Sequence, residues 1–455
     1  MTKNRRNHIK IKKGYNLKID GAPSKSFGHF EKPESLQIQP SKIRWIKPKL
    51  LVKEGEQVNI GTPLFYDKLN PNLKFVSPGG GRISSIQFGY KRVIEKIIIK
   101  LAEFEENHKY SFNIPKEYSK LNREQIKSIL LESGLWTLIR QRPYSMIPDP
   151  RSMPKAIFIS TMPTQPFALD QEYIFSIDGK GFQIGLDILS KLSDGKINLI
   201  NNHNSTLPLF TDAKNVDIYQ VSGPHPAGNT GIHIHHIDPI NTGETVWYLD
   251  PQDVQRIGLL FLTGKLHLEK YISIGGSSLE EQHYLKVRFG SLLKDILKNN
   301  TIAGNSRIIS GDVLTGEKIN ADESLGYYDE IISVIPEGGN RELLGWMMPG
   351  LNKYSLGNTF LSKLFKKNNY NLDTNKNGSV RTIIPFGSWE SVLPMDIIPT
   401  FLVKSILAKD VEEMEKLGIY ECDEEDFALC SFICTSKVEV SDIIREGLEY
   451  MKAEG

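Results

Sequence analysis

Long apolar runs are missing from this 455-residue chain: the best is Ile257-Gly258-Leu259-Leu260-Phe261-Leu262, far below the roughly 18–20 residues that cross a bilayer. A spanning helix is therefore not expected. The basic N-terminus has no apolar stretch behind it, so no secretory signal is expected and the cytoplasm is the expected compartment. Cysteine is scarce, with Cys422, Cys430 and Cys434 as the whole set; an odd, sparse number of thiols does not make a disulfide framework. Charge is nearly balanced at +2, which removes any global attraction to nucleic acid. A P-loop is absent, and Gly179-x-Gly181-x-x-x-Gly185 stands well beyond the nearest clear strand, whereas a dinucleotide site needs strand, glycine turn and helix in immediate succession. Direct binding of NADH or FMN by this chain is not expected.

What is present points to a folded protein of several domains. The length exceeds the roughly 250–300 residues at which one core stops growing, and 20 Phe, 17 Tyr and 5 Trp supply large core side chains. Six basic residues, Lys3, Arg5, Arg6, Lys10, Lys12 and Lys13, crowd the N-terminus. They are expected to form a solvated tail, with contact to an anionic membrane surface as the functional reading. From Leu51 to Ile86 short strands alternate with turns at Gly55, Gly61-Thr62-Pro63 and Pro78-Gly79-Gly80-Gly81, the texture of a small β-sandwich. Apolar residues at Ile126, Ile129, Leu130, Leu135 and Leu138 predict a helix over residues 124–140, stopped near Pro143. A buried strand at Ala156–Ser160, a helix at Phe182–Leu192 and a strand at Lys196–Ile200 alternate as in an α/β domain with a mostly parallel sheet. Strands at Tyr271–Ile274, His283–Phe289 and Arg307–Ser310 with a helix at Leu292–Lys298 resemble a β-grasp module. Residues Phe365 to Ser379 read as a polar exposed loop.

Two residue sets invite a metal. A [4Fe–4S] site needs four thiolates spaced Cys-x2-Cys-x2-Cys-x3-Cys. Cys430 and Cys434 match the last two positions, but Glu424 and Phe427 stand at the first two, and Thr435 replaces the proline that often follows. The region is expected to be a cluster domain without its cluster. His225, His233, His235 and His236 lie close together, and His-x-His can set two rings on one side of a strand. No Cys, Asp or Glu completes a ligand set, so His225 is expected to act as a hydrogen-bonding strut in the Gly-Pro-His-Pro-Ala-Gly turn, the other rings pairing with backbone groups.

Several segments carry a resemblance. In chain order they are Ser133-Gly134-Leu135-Trp136-Thr137 with Arg140, Arg142, Pro143, Tyr144, Ser145 and Pro148; Ser222-Gly223-Pro224-His225-Pro226-Ala227-Gly228 with Gly231, His233 and His235; and Gly311-Asp312-Val313-Leu314-Thr315-Gly316. Gly345-Trp346-Met347-Met348-Pro349-Gly350, Asn377-Gly378-Ser379 with Arg381, and Asp423-Glu424-Glu425-Asp426-Phe427-Ala428-Leu429-Cys430 complete the set. Together they resemble the NqrA family, one of the subunits of the bacterial sodium-translocating NADH:quinone oxidoreductase. The tail before Ile9 and the stretch Ser24–Ile46 depart from the family pattern. Val52, Gly55 and Val58, with Val76-Ser77-Pro78-Gly79-Gly80-Gly81-Arg82-Ile83, are similar to biotinyl- and lipoyl-type barrel-sandwich domains, in which a hairpin Lys is modified. Lys68 stands in the corresponding place, but Asp67-Lys68-Leu69 does not match the modified settings, so the module is read as scaffold.

The resemblance implies a multidomain α/β and α+β chain: a barrel-sandwich module with the basic tail over residues 1–110, a Rossmann-like α/β domain over 111–265, a β-grasp (SLBB-like) module over 266–330, and a helical domain over 331–455 resembling a degenerate iron–sulfur domain. It also implies a peripheral subunit on the cytoplasmic face of the inner membrane, partnered by the membrane and soluble subunits of a six-subunit pump. NADH, flavins, iron–sulfur centres and Na+ would be handled by those other subunits, quinone would be the substrate of the complex, and this chain would hold no cofactor tightly. A quinone site wants apolar walls and a few donors. Trp136, Tyr144 and Met146 are the candidate walls and Arg140 and Arg142 the candidate donors; the competing reading has these arginines capping a helix end or pairing with carboxylates. Rival functions are structural support alone, a free-standing flavin and iron–sulfur NADH dehydrogenase like the electron-entry component of complex I or Rnf, and a carrier with a prosthetic group on Lys68.

Overall fold

The computed structural model describes residues 7–454 other than 104, 106–113, 115–117, 340–343, 346, 352, 357–359, 365–367 and 386. Lys3, Arg5 and Arg6 lie outside the described residues. The part of the basic tail that is described is not merely solvated: Asn7–Lys10 is a strand that runs parallel to Asp217–Ser222 and edges the α/β sheet, which leaves Lys10, Lys12 and Lys13 exposed.

The described residues build a six-stranded sheet in the order Asn7–Lys10, Asp217–Ser222, Lys196–Asn202, Ala156–Ser160, Val246–Leu249, Arg140–Arg142. Every neighbouring pair is parallel except the last. Parallel strands are covered on both faces and so read as unbroken apolar runs, and successive side chains point to opposite sides. Ile157 and Ile159 pack into the core shared with Phe182, Leu186, Val254 and Ile257, on the helices Phe182–Leu192 and Pro251–Thr263. Ala156 and Phe158 face the opposite core, built with Ile232, Trp389, Leu402, Phe427 and Leu448. The C-terminal helices Ser388–Val392, Pro399–Ala408, Ala428–Ile433 and Val440–Glu454 thus supply the second covering layer.

The glycines of the 179–185 segment serve packing. Gly181 adopts φ +92° before the helix Phe182–Leu192, and a Cβ on Gly185 would sit 2.0 Å from the Val254 carbonyl oxygen. A Cβ on Gly258 would lie 1.8 Å from the Gly181 oxygen. Bare glycine surfaces let the two helices touch backbone to backbone.

In the N-terminal module the strands Ser35–Ile38, Ile94–Leu101, Gly81–Phe88 and Gln57–Val58 form one sheet, and Pro48–Leu50, Pro63–Asp67 and Asn70–Val76 the other. Leu64, Phe65, Phe75, Ile83 and Ile97 fill the space between, with the Phe65 and Phe75 rings stacked at 4.6 Å. Lys68 and Leu69 form the exposed turn of the second sheet's hairpin. A five-stranded sheet in the order His283–Arg288, Glu269–Gly275, Ile331–Pro336, Ser306–Ser310, Glu317–Lys318 makes the third module. Its central strand Ile331–Pro336 carries this module past residue 330. In the loop between Phe365 and Ser379, residues 365–367 lie outside the described residues; Lys376, Asn377, Gly378 and Ser379 are exposed, and Tyr370 bridges to Ile19.

Two expected elements differ. The helix over 124–140 ends at Glu132: Gly134 turns left-handed at φ +74°, a short 3-10 helix Leu135–Leu138 follows, and Arg140–Arg142 is a strand. His233, His235 and His236 lie on a helix, Thr230–Ile237, rather than a strand.

Candidate functional site

The chain from Arg140 to Met146 makes an edge strand and a tight turn. Gln141 N–H donates to the Met146 carbonyl at 2.7 Å, closing a loop that holds a cis Arg142–Pro143 bond and left-handed Tyr144 and Ser145 at φ 79° and 49°. Non-glycine residues adopt that region at an energetic cost and persist there only when their surroundings fix them. The C-terminal acidic run supplies the fixing. Arg142, with no exposed side-chain surface, points into it, with Glu425 at 2.5 Å, Asp426 at 3.2 Å and Asp423 at 3.3 Å. Ser145 donates to Asp423, and Tyr248 donates to Ser145 at 2.9 Å. Arg44 and Arg445 both pair with Glu424.

Burial opposes the charge on Arg142, but Asp423, Asp426, Tyr248 and Glu425 outweigh it and hold the guanidinium well above its ordinary range. For Asp426 burial dominates and raises the carboxyl despite Arg142; Asp423 is also buried, but Arg142, Ser145 and Arg44 hold it low. Gly231 lies against Asp426, where a Cβ would come within 2.1 Å of a carboxylate oxygen. The cluster therefore locks three separate pieces together: the edge strand, the histidine helix and the C-terminal helices.

The five residues expected near a quinone divide into two groups. Trp136 is core: it is 1% exposed, its Nε1–H donates to the Pro148 carbonyl at 2.9 Å, and its ring meets Trp247 edge-on at 5.4 Å. Arg142 is committed to carboxylates, as the competing reading had it, although at a strand and not at a helix end. Arg140 lies between the rings of Tyr248 and Tyr328, at 4.5 and 4.9 Å. Tyr144 and Met146, in contrast, are half-buried and meet partners that no spacing in the sequence indicated.

Those partners are Trp45, Tyr420 and Lys452. Trp45, itself left-handed at φ 63°, donates through Nε1 to the Tyr144 carbonyl at 2.8 Å and packs edge-on against its ring at 6.2 Å. Tyr420 meets the same ring at 6.3 Å. The Lys452 ammonium lies 4.2 Å from the Trp45 ring centre, 5.4 Å from that of Tyr144 and 2.8 Å from the Met146 sulfur. Burial lowers this amine to about 8, with Asp67 pulling the other way. Burial, with Tyr420, pushes the Tyr144 phenol up to about 12. The result is a half-buried aromatic face carrying a cation, able to hold a flat apolar ring and to donate to an oxygen.

The turn Gly223–Gly228 lies elsewhere on the sheet. Pro224, His225, Pro226 and Gly228 wrap around the N-terminal segment: Gly223 takes a positive φ of +152° against Ile11, and the His225–Pro226 bond is cis. His225 receives Tyr15 N–H on its carbonyl at 2.7 Å, and its Nδ1 lies 3.2 Å from Thr164 Oγ1. His233 Nε2 lies 2.8 Å from the Ala227 carbonyl, His236 Nε2 lies 2.9 Å from that of Pro394, and His235 Nδ1 lies 2.7 Å from Glu421. Burial lowers His225 and His233 to about 4. Among the described residues no group of three or more His, Cys, Asp or Glu is placed to hold a metal ion. The cysteines do not fit a four-thiolate cluster: Cys430 and Cys434 are buried, Cys430 Sγ points at the Trp389 carbonyl, and burial raises its thiol strongly.

Fold and site together define a class: a chain of barrel-sandwich, α/β and β-grasp modules whose second sheet is covered by a helical unit, locked on through buried ion pairs. Three family descriptions match in the same order: the NqrA N-terminal barrel-sandwich hybrid domain over residues 9–102, the NqrA second alpha/beta domain over 121–266, and the NQRA C-terminal domain over 271–321. The NqrA protein of Photorhabdus laumondii, named as one of the subunits of the Na(+)-translocating NADH-quinone reductase, is 38% identical over 448 residues, covering 98% of this chain and all of that protein. The proteins of the same name from Pasteurella multocida and Vibrio parahaemolyticus are 38% and 39% identical, again over 98% of this chain and all of theirs. The chain belongs to this family, the NqrA subunits of the Na(+)-translocating NADH-quinone reductase. Among solved structures, a chain of an NAD+-reducing [NiFe]-hydrogenase in the air-oxidized state aligns at 10% identity and a TM-score of 0.38, over 75% of this chain and 63% of that one; so distant a likeness carries no argument. No helix among the described residues is long and apolar enough to cross a membrane.

Proposed function

We propose that this chain is the peripheral, cofactor-free component at the quinone end of a multi-subunit sodium pump on the cytoplasmic face of the membrane, and that quinone meets it at the face formed by Trp45, Tyr144, Met146 and Lys452. The observation that carries the reading is the Lys452 ammonium, set over two aromatic rings and beside a thioether. A quinone offers a flat apolar ring and two carbonyl acceptors, which an aromatic wall and an ammonium complement. NADH, flavins, iron–sulfur centres and Na+ belong, in this reading, to other subunits. The helical unit is read as a cluster domain that lacks its ligands, with Glu424 and Phe427 where thiolates would stand.

Replacing Lys452 with Gln in the assembled complex tests the reading. Expected is a quinone KM raised about tenfold, the loss of one charge-assisted hydrogen bond, with the rate of NADH-dependent flavin reduction unchanged. An unchanged quinone KM would refute the direct contact and leave structural support as the role.

A further inference from the structure

The three-stranded sheet of the N-terminal module turns a cationic face outward, and the pleat makes it so. Leu50, Phe65 and Phe75 stand opposite one another across the three strands and pack into the core. Successive side chains alternate sides, so the next row, Lys49, Tyr66 and Lys74, turns away from it. The Lys49 ammonium lies 5.7 Å from the Tyr66 ring centre. At the hairpin turn Lys68 N–H donates to the Lys47 carbonyl at 2.9 Å, which sets these two lysines side by side. Lys47, Lys49 and Lys68 are exposed and Lys74 is half-buried. Two leucines accompany them, Leu69 at 66% and Leu51 at 47% exposure. Residues 45–51 and 66–74 contain four lysines and one acidic residue, Asp67. That carboxylate is turned inward, 4% exposed, and accepts the N–H groups of Lys47 and Leu69 at 2.8 and 3.1 Å. Among the described residues none of the four ammonium groups has a carboxylate within 4 Å.

Position and charge together identify what this surface meets. It runs directly into the aromatic face: Trp45 stands two residues before Lys47, and Asp67, bonded to the Lys47 backbone, also acts on the Lys452 amine. A quinone dissolved in lipid reaches that face from the bilayer, so the surface bordering it has to suit headgroups. Unpaired ammonium groups interleaved with exposed leucines do so, because lysine meets phosphate while leucine enters the acyl boundary. An acidic protein segment would satisfy the lysines but not the leucines among them. We propose that Lys47, Lys49 and Lys68, with Leu69, dock the chain on an anionic leaflet and so hold the Trp45–Lys452 face at the membrane surface. This rests on reading that face as the quinone contact, and adds the surface that brings it to the bilayer.

Flotation of the purified full-length chain with phosphatidylglycerol–phosphatidylethanolamine vesicles tests it. Expected is co-flotation that weakens as salt rises and is much weaker with phosphatidylcholine alone. Lys47→Gln with Lys49→Gln and Lys68→Gln should lower partitioning about a hundredfold, roughly fivefold for each lysine at an anionic surface. The thermal midpoint should not move, because these side chains are already in water. Lys180→Gln with Lys214→Gln and Lys294→Gln removes the same charge from exposed lysines elsewhere and should leave partitioning close to wild type. Wild-type chain that stays at the bottom of the gradient, a first triple variant that floats as well as wild type, or a second that falls as far as the first, overturns the proposal. A first triple variant that floats normally but no longer joins the other subunits also overturns it and gives the surface to a protein neighbour. Lys452→Gln in the assembled complex keeps the two readings apart. A raised quinone KM there, with a wild-type chain that does not float, removes the docking surface alone; an unchanged KM, with flotation that needs the three lysines, removes the quinone contact alone.

Discussion

Changing Arg142 to Met removes a guanidinium that lies within 3.3 Å of three carboxylates. An exposed pair would be worth about 0–1 kcal/mol, but the Arg142 and Asp426 side chains have no exposed surface and Asp423 has 7%. Removing one partner of a buried pair leaves uncompensated charge and costs about 3–5 kcal/mol. Glu425, 38% exposed, contributes the smallest share because water screens it. The loss should appear first where the acidic run joins the sheet, by opening of the C-terminal helices before global unfolding. Hydrogen exchange of the helices Ala428–Ile433 and Val440–Glu454 is the assay, and their protection should fall by the equivalent of that free energy while the helix Phe182–Leu192 keeps its own. The penalty should also depend on pH. Burial raises Asp426 and Glu425, and without Arg142 both rise further. A carboxylate raised in the folded state contributes stability that is present below its unfolded value and lost as pH rises through the folded one. The variant should therefore be weakest above neutrality and approach wild type near pH 5. Unchanged protection at pH 8, or a defect that deepens on acidification, would refute the lock.

Two further outcomes follow from packing and burial. Gly258→Ala places a Cβ against the Gly181 carbonyl and should destabilise the α/β domain by about 1–3 kcal/mol or more, read as a lower urea midpoint, whereas Gly304→Ala, with open space around its Cβ, should cost less than that even at its φ of +56°. His225 and His233 are held near 4 by burial, below the ordinary value of about 6.5. Their folded values are depressed, so the stability they contribute is complete above about 6.5 and drains away as pH falls toward 4, by up to about 3 kcal/mol each. Acid titration of the unfolding free energy should show this slope, and His233→Gln should flatten it.

Much of the fold was legible where pattern and local chemistry agree. The strand Ala156–Ser160 and the helix Phe182–Leu192 lie where the apolar runs put them, because a buried parallel strand and an amphipathic helix each write a period into the chain. The apolar period running on through Leu135 and Leu138 predicts a helix to residue 140, but the helix ends at Glu132 because Gly134 turns the backbone left-handed. The histidine segment is short and apolar, and there Ile-His-Ile-His fits a strand or a buried helix equally well. The site was half legible. Tyr144 and Met146 stood out as residue types, but Trp45 and Lys452 reach them from nearly opposite ends of the chain, and no spacing encodes such a contact. For Arg142 a signal did exist: four successive acidic residues, Asp423 to Asp426, beginning a helical unit, need basic partners when buried.

The central claim is that quinone touches this chain at Trp45, Tyr144, Met146 and Lys452. Photolabelling the intact complex with an azido-quinone, followed by peptide mapping, tests it most directly. The account predicts label on peptides containing Trp45 or Tyr144 and Met146, displaced by excess quinone; label confined to other subunits, with none on this chain, would contradict it.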